Sequence, residues 1–496
     1  MRRPIFLALR ALLWRSRGLI FVTLAALVVR LVWNLKFHNP VNFAYSDMGG
    51  YLDRANGIID DKWKPRPLAP HPAAIDVFDY VFGRVVGAKA PYLTLYPHGT
   101  HVFIYLVKRV FGRDNAAAIG ASFAVLGTLA VAYTYATAAR FSRSAAVRRV
   151  VAFILIFYYP WISLGGYALS EAPFITCVSA VAFHGLRLAD RGRKGDAWML
   201  GLWLGLGAVV RPQMLVAAVF LGALFVVRRR LWKGFSFGLV PRVAAPLALL
   251  LGLSACRVYY HVNHDHWALI SQNGPLNFVF GRCHNTGLNA KAKDGGGFFG
   301  PPALGSLLAW EKAHPHPIFS LDPAMGVSLT FSGHMWDAEP TYKLARECVA
   351  KTGTWRQIKY AVTHVVLLWG YNSIWPDMGQ AKYRLAMDIA CGFHSAVILP
   401  PAAAALLLAF RKRRARSMLL ALHVWSLVLT SMLYFGDTRY RAPYDGVLIV
   451  LAVVMYGQIF AGIRAFFRWR RERKYQRARR REAALLVPGA APALPS

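Results

Sequence analysis

Long apolar runs alternate with short arginine-rich loops along most of this chain. Runs at about 18–35, 115–140, 150–165, 172–188, 197–210, 214–227, 243–260, 387–410, 418–435 and 443–463 approach or reach the length that crosses a bilayer as a helix. The loops at 140–149, 187–194, 228–242 and 411–414 carry clusters of Arg and Lys, which marks them as cytoplasmic by the positive-inside bias. The segment through Arg17 has five arginines and no acid, so both termini are expected inside. The pattern predicts a polytopic α-helical membrane protein with about ten transmembrane helices. Basic Met1-Arg2-Arg3 precedes an apolar run without a small-residue cleavage site, which reads as an uncleaved anchor.

Two polar regions interrupt the series. The first external loop, 36–114, holds two amphipathic stretches suited to the membrane surface. In one, Ser46 is a good N-cap and Met48, Tyr51, Leu52, Ala55, Ile58 and Ile59 recur at helical spacing. In the other, Phe103, Ile104, Val107, Val110 and Phe111 form an apolar face beside Lys108 and Arg109, and Pro65, Pro67, Pro70 and Pro72 mark turns between the two. The second region, 261–386, contains a small external soluble segment up to about 354. The run 355–375 follows, and it is read as an interfacial helix because Arg356, Lys359 and His364 interrupt it. Four parts result: an N-terminal transmembrane module (1–260), the external segment (261–386), C-terminal transmembrane helices (387–463) and a basic cytoplasmic tail (464–496).

Composition narrows the class. A chain that is 56% hydrophobic with a net charge of +36 invites a nucleic-acid reading, but no nucleic-acid fold signature is present and the basic residues sit between apolar runs. Anionic membrane lipid is the partner that the charge suggests, with a purely topogenic tail as the bland alternative. No internal repeat points to an inverted-repeat transporter. Cys177, Cys256 and Cys391 lie in apolar runs, whereas Cys283 and Cys348 share the external segment and form a candidate disulfide pair.

The candidate chemistry gathers on one side. Asp47, His98, His101, Glu171, Arg211, Asp437, Arg439 and Arg441 all fall in external loops or at span ends facing them. Ionisable groups at a membrane edge are costly and commonly functional. Asp47 lies in a helix's first turn, where the dipole favours its ionised form; it can accept a proton from a hydroxyl or simply start the helix. Glu171 after Ser170 either caps its span or contacts a ligand, and Tyr51, His98 and His101 are candidate sugar or acceptor contacts. His98 and His101 have the spacing of a metal pair without an evident third ligand, so no metal and no cofactor are assigned. Arginine forks suit phosphate, so Arg439, Arg211 and Arg441 are candidate donor-phosphate ligands.

The order NPVNFAYSDMGGYLDRA, LYPHGTH, SEAPF, GLGAVVRPQML, SQNGPLNFVFGR and FGDTRYRAPY resembles the GT-C fold of polyprenyl-phosphate-sugar-dependent glycosyltransferases. Within it, the chain is most similar to the bacterial branch that includes the aminoarabinose transferase of lipid A and the protein O-mannosyltransferases. The resemblance implies that Asp47 is the catalytic base or positions the acceptor, and that Arg439 and Arg211 face the donor phosphate. Two departures stand out. Family members often read Tyr-Pro-Pro where Tyr96-Pro97-His98 stands, and protein mannosyltransferases carry two adjacent acids where Ser46-Asp47 supplies one. The expectation is an inner-membrane enzyme that moves a sugar from a polyprenyl phosphate to a hydroxyl of an envelope glycan, lipid or protein outside the cytoplasm, with inversion. A transporter or flippase of a lipid-linked phosphate, or a silent scaffold of the same fold, is the alternative.

Overall fold

A computed structural model describes residues 2–44, 46–60, 96–231, 239–264, 269–271, 273–282, 288–292, 327–331, 338–370, 373–411, 415–434 and 436–485. The proline-rich turns at 65–72, Cys283 and most of the external segment expected at 261–354 lie outside them.

The described chain is almost wholly helical. Helices α1 (Arg2–Val32), α2 (Ser46–Ile59), α3 (Gly99–Phe111), α4 (Ala116–Phe141), α5 (Ala145–Phe157), α6 (Tyr159–Gly165), α7 (Glu171–Arg191), α8 (Lys194–Val210), α9 (Met214–Leu231) and α10 (Leu239–His264) make the N-terminal part. Then follow α11 (Asn273–Arg282), strands β1 (Leu288–Ala292) and β2 (Val327–Phe331), and α12 (Ala338–Trp369). The strands pair in parallel, Leu288 opposite Val327 through Ala292 opposite Phe331. Helices α13 (Ala381–Phe393), α14 (Leu399–Arg411), α15 (Ala415–Leu433), α16 (Thr438–Arg441) and α17 (Asp445–Leu485) complete the chain.

Among the described residues, seven helical stretches are long and apolar enough to cross a membrane: 17–37, 116–141, 145–165, 171–191, 381–411, 416–433 and 438–479. They coincide with seven of the ten expected spans. The other three also form helices: α8 has seventeen residues, the apolar part of α9 runs Met214–Val227, and α10 runs Leu239–His264. The run 355–375 is not among the seven. Its helix, α12, ends at Trp369 and bends at Gly353, whose φ of 73° lies in the left-handed region that glycine enters without a Cβ penalty.

Outward-facing apolar side chains mark the lipid side. Phe21, Leu24, Val28 and Val32 of α1 are exposed at helical spacing, whereas Val22 and Ala26 are buried. Helix α7 is buried along nearly its whole length and forms the centre of the bundle. Arg30, 2% exposed, donates to the carbonyls of Leu155 and Ile156 where α5 ends before Pro160. A guanidinium there meets the carbonyls that a broken helix leaves open. Small residues let backbones approach: a Cβ on Gly99 would lie 2.9 Å from the Val210 backbone, which seats the start of α3 on the end of α8. Cys348 is disulfide-bonded, while Cys177, Cys256 and Cys391 are free and buried.

Candidate active site

Five segments distant in sequence meet at one point. The start of α2 brings Asp47; a Cβ on Gly49 would lie 2.7 Å from the Ala44 carbonyl, so only glycine allows the chain to turn this tightly into the helix. The turn before α3 brings Tyr96. Helix α7 begins with Glu171, and the α8–α9 turn brings Arg211, whose extended backbone (φ −148°, ψ 117°) is what a following proline favours. Short α16 brings Arg439. Asp437 caps it by accepting from the Arg439 amide at 2.7 Å, and the Gly436 amide donates to His364 Nδ1 at 2.9 Å, which ties the turn to α12.

Arg439 lies between the two acids. Its Nη2 donates to Asp47 Oδ2 at 3.0 Å and to Glu171 Oε2 at 3.2 Å, while its Nε donates to Glu171 Oε1. The indole of Trp375 covers the guanidinium at 4.6 Å, an ordinary cation–π distance. Arg211 reaches Glu171 Oε1 at 3.2 Å and lies 4.8 Å over the Tyr440 ring. Two carboxylates and two guanidiniums thus balance, as buried charges must.

The acids differ in access. The Glu171 side chain is fully buried, whereas that of Asp47 is 28% exposed. Asp47 is therefore the acid an incoming hydroxyl can reach, and Glu171 is the counter-charge that holds both arginines. The Tyr96 hydroxyl donates to Asp47 Oδ1 at 2.7 Å. Burial and the nearby carboxylate push that phenol well above its ordinary value, so it stays a donor. The same two causes push Tyr51 up to about 12.

Arg211 has spare capacity on the site side. Among the described residues, Arg211 Nη1 is buried and has no hydrogen-bond partner. Buried donors are ordinarily satisfied, so this one is free to take an acceptor.

The structure thus brings together Asp47, Glu171, Arg211 and Arg439, with Tyr51 packed against Tyr96 at 5.1 Å between ring centres. His98 and His101 are buried beside them; the two rings approach at 3.3 Å (Nδ1 to Nε2) and His101 stacks on Tyr51. Arg441 points elsewhere. It is fully buried, pairs with Asp445 at 3.3 Å and donates to the Gly370 carbonyl; Asp445 also meets His394 at 3.1 Å and the Tyr158 hydroxyl at 2.7 Å. Among the described residues, no group of three or more His, Cys, Asp or Glu side chains is placed to hold a metal.

Tyr96 and Trp375 belong to the site although neither was singled out for it. Tyr96 adjoins the Pro97-His98 turn that departs from the family pattern, which was its only signal. Trp375, near the end of a hydrophobic run, looks like an aromatic-belt residue.

Residues 97–253 match the family described as dolichyl-phosphate-mannose-protein mannosyltransferase. That stretch contains His98, His101, Glu171 and Arg211 but neither Asp47 nor Arg439. No curated protein matches the sequence. Among solved structures, the chain is similar to the archaeal oligosaccharyltransferase AglB from Archaeoglobus fulgidus in complex with an inhibitory peptide and a dolichol-phosphate. Identity is 11% and the TM-score 0.46, over 97% of this chain and 52% of that one. The chain thus spans about half the length of that enzyme. It is also similar to ArnT from Cupriavidus metallidurans bound to undecaprenyl phosphate, with 14% identity and a TM-score of 0.36, over 89% of this chain and 77% of that one.

Proposed function

We propose that this chain is a membrane glycosyltransferase that takes a sugar from a polyprenyl-phosphate donor and transfers it to a hydroxyl of an envelope acceptor. The observation that carries the reading is Arg439 shared between a partly exposed acid, Asp47, and a buried one, Glu171, beside the unpartnered Nη1 of Arg211. The family match over 97–253, whose description names a dolichyl-phosphate sugar donor, supports the same class.

In this reading the donor phosphate docks on Arg211 and Arg439. The acceptor oxygen attacks the anomeric carbon as Asp47 takes its proton. The bond from that carbon to the phosphate oxygen breaks, and the electron pair leaves with the polyprenyl phosphate. Charge grows on the phosphate in the transition state, where prepositioned guanidiniums are worth most. A single displacement inverts the anomeric centre. Glu171 keeps both arginines in place, and Tyr96 fixes the orientation of Asp47. The site faces the extracytoplasmic side of the inner membrane, since positive-inside bias puts the arginine-rich loops at its other end, together with both termini.

The test is transfer by purified protein supplied with a panel of polyprenyl-phosphate sugars and envelope acceptors. Asp47→Asn is expected to bind donor but to lose transfer by about 10²–10⁴-fold, the usual size of a general-base contribution. Wild-type transfer in that variant removes Asp47 from the mechanism. Movement of donor across a vesicle membrane without acceptor-dependent release of polyprenyl phosphate replaces the enzyme reading with a flippase.

A further inference from the structure

The turn at 373–380, between α12 and α13, carries Trp375 and is fastened at several points to helices outside the site. At its start the Ser373 hydroxyl donates to Asp388 of α13. At its centre is Asp377, which is fully buried. A buried carboxylate is costly unless it is well satisfied, and this one accepts from three hydroxyls: Tyr167 at 2.5 Å, Ser163 at 2.7 Å and Tyr159 at 3.1 Å. The Tyr167 hydroxyl in turn accepts from Gln380 Nε2 at 2.8 Å, which closes the network on the far side of the turn. Ile374 is fully buried, so both residues that flank Trp375 and Pro376 are pinned.

None of these hydrogen bonds involves Asp47, Glu171 or either site arginine. The turn reaches the site through Trp375, whose ring lies against the Arg439 guanidinium. A tryptophan on a loose turn would cover that cation only part of the time, whereas one held on both sides keeps the fork in a single plane. We propose that Asp377 is a positioning residue: it anchors the turn that lays Trp375 over Arg439, and so fixes the guanidinium for the donor phosphate. The last step rests on the donor reading given above. Asp377 itself contacts no substrate.

The test uses the full chain in lipid nanodiscs and undecaprenyl phosphate as the probe. Asp377→Asn and Trp375→Leu are each expected to weaken binding about fivefold, the loss of one cation–π contact of ordinary strength. The double variant is expected to lose no more than the weaker single one, because both changes break the same contact. Amide exchange is expected to quicken across 374–380 and across 436–441 in Asp377→Asn. If that variant does not fold, Tyr167→Phe, which removes one of the three donors, takes its place with the same expectations. Wild-type binding by Asp377→Asn overturns the proposal, as does a double variant whose losses multiply to about twenty-five-fold. If the wild-type protein does not bind undecaprenyl phosphate, the donor reading falls, and exchange alone decides the anchoring. Quickening at both 374–380 and 436–441 then supports it, and unchanged exchange at 436–441 overturns it.

Discussion

Replacing Arg439 by lysine keeps the charge and removes the fork, so it isolates the geometry on which the site reading depends. The guanidinium serves Glu171 through Nε and Nη2 and Asp47 through Nη2 at 3.0 Å, with Trp375 on its face. A lysine has one nitrogen on a flexible stem and cannot span both acids in that plane. Two charge-assisted hydrogen bonds are lost or lengthened, at about 1.5–3 kcal/mol each. The retained charge and water reaching the partly open Asp47 offset part of that, which leaves a cost of about 3 kcal/mol. If the same contacts hold the donor phosphate in the transition state, 3 kcal/mol is a loss of about a hundredfold in transfer rate. The assay is steady-state transfer at saturating acceptor, with thermal inactivation measured on the same preparation. Arg439→Lys should be slow and somewhat less stable, yet still inserted and folded. A rate within about threefold of wild type would show that the fork is not needed and would refute the argument.

Two other perturbations test how the site is held. A Cβ on Gly436 would run into the His364 carbonyl, so Gly436→Ala should displace the turn that carries Arg439; the expected cost is about 2 kcal/mol, read as lower yield and an earlier melt. His38, just past the first span, is held below the ordinary imidazole value by burial, which outweighs the opposing pull of the Gly166 carbonyl and of Asp377. It is therefore neutral in the folded protein, and as pH falls through about 6.5 the unfolded chain takes up the proton first. The stability it supplies is full above that pH and is lost as pH falls toward the lower folded-state value. His38→Phe should accordingly show a smaller drop in melting temperature between pH 7.5 and pH 5 than the wild type.

How much of this was legible beforehand depends on the range of the interaction. Spans read well because hydrophobic length is a local property, and the seven that meet the length and apolarity of a crossing helix all fall where the runs were. The brevity of α8, at seventeen residues, is a local property as well. The Ser46-Asp47 start of α2 was readable from its N-cap and periodicity. That its acid meets an arginine 392 residues later was not, since only tertiary packing joins them. Motif order placed Glu171, Arg211 and Arg439 on a shared side, but spacing says nothing about which carboxylate is buried, and that is what separates the role of Asp47 from that of Glu171. Trp375 was hidden because an indole at a helix end has the same sequence signature whether it faces lipid or a cation. The pair Arg439 and Arg441 is different, because a readable signal was there. Both were expected to hold phosphate, yet residues two apart on a helix point about 200° away from each other. Since Asp437 caps a helical turn that includes both, one arginine facing the site obliges the other to face the bundle, where Asp445, four residues on, is the counter-charge that helical spacing supplies.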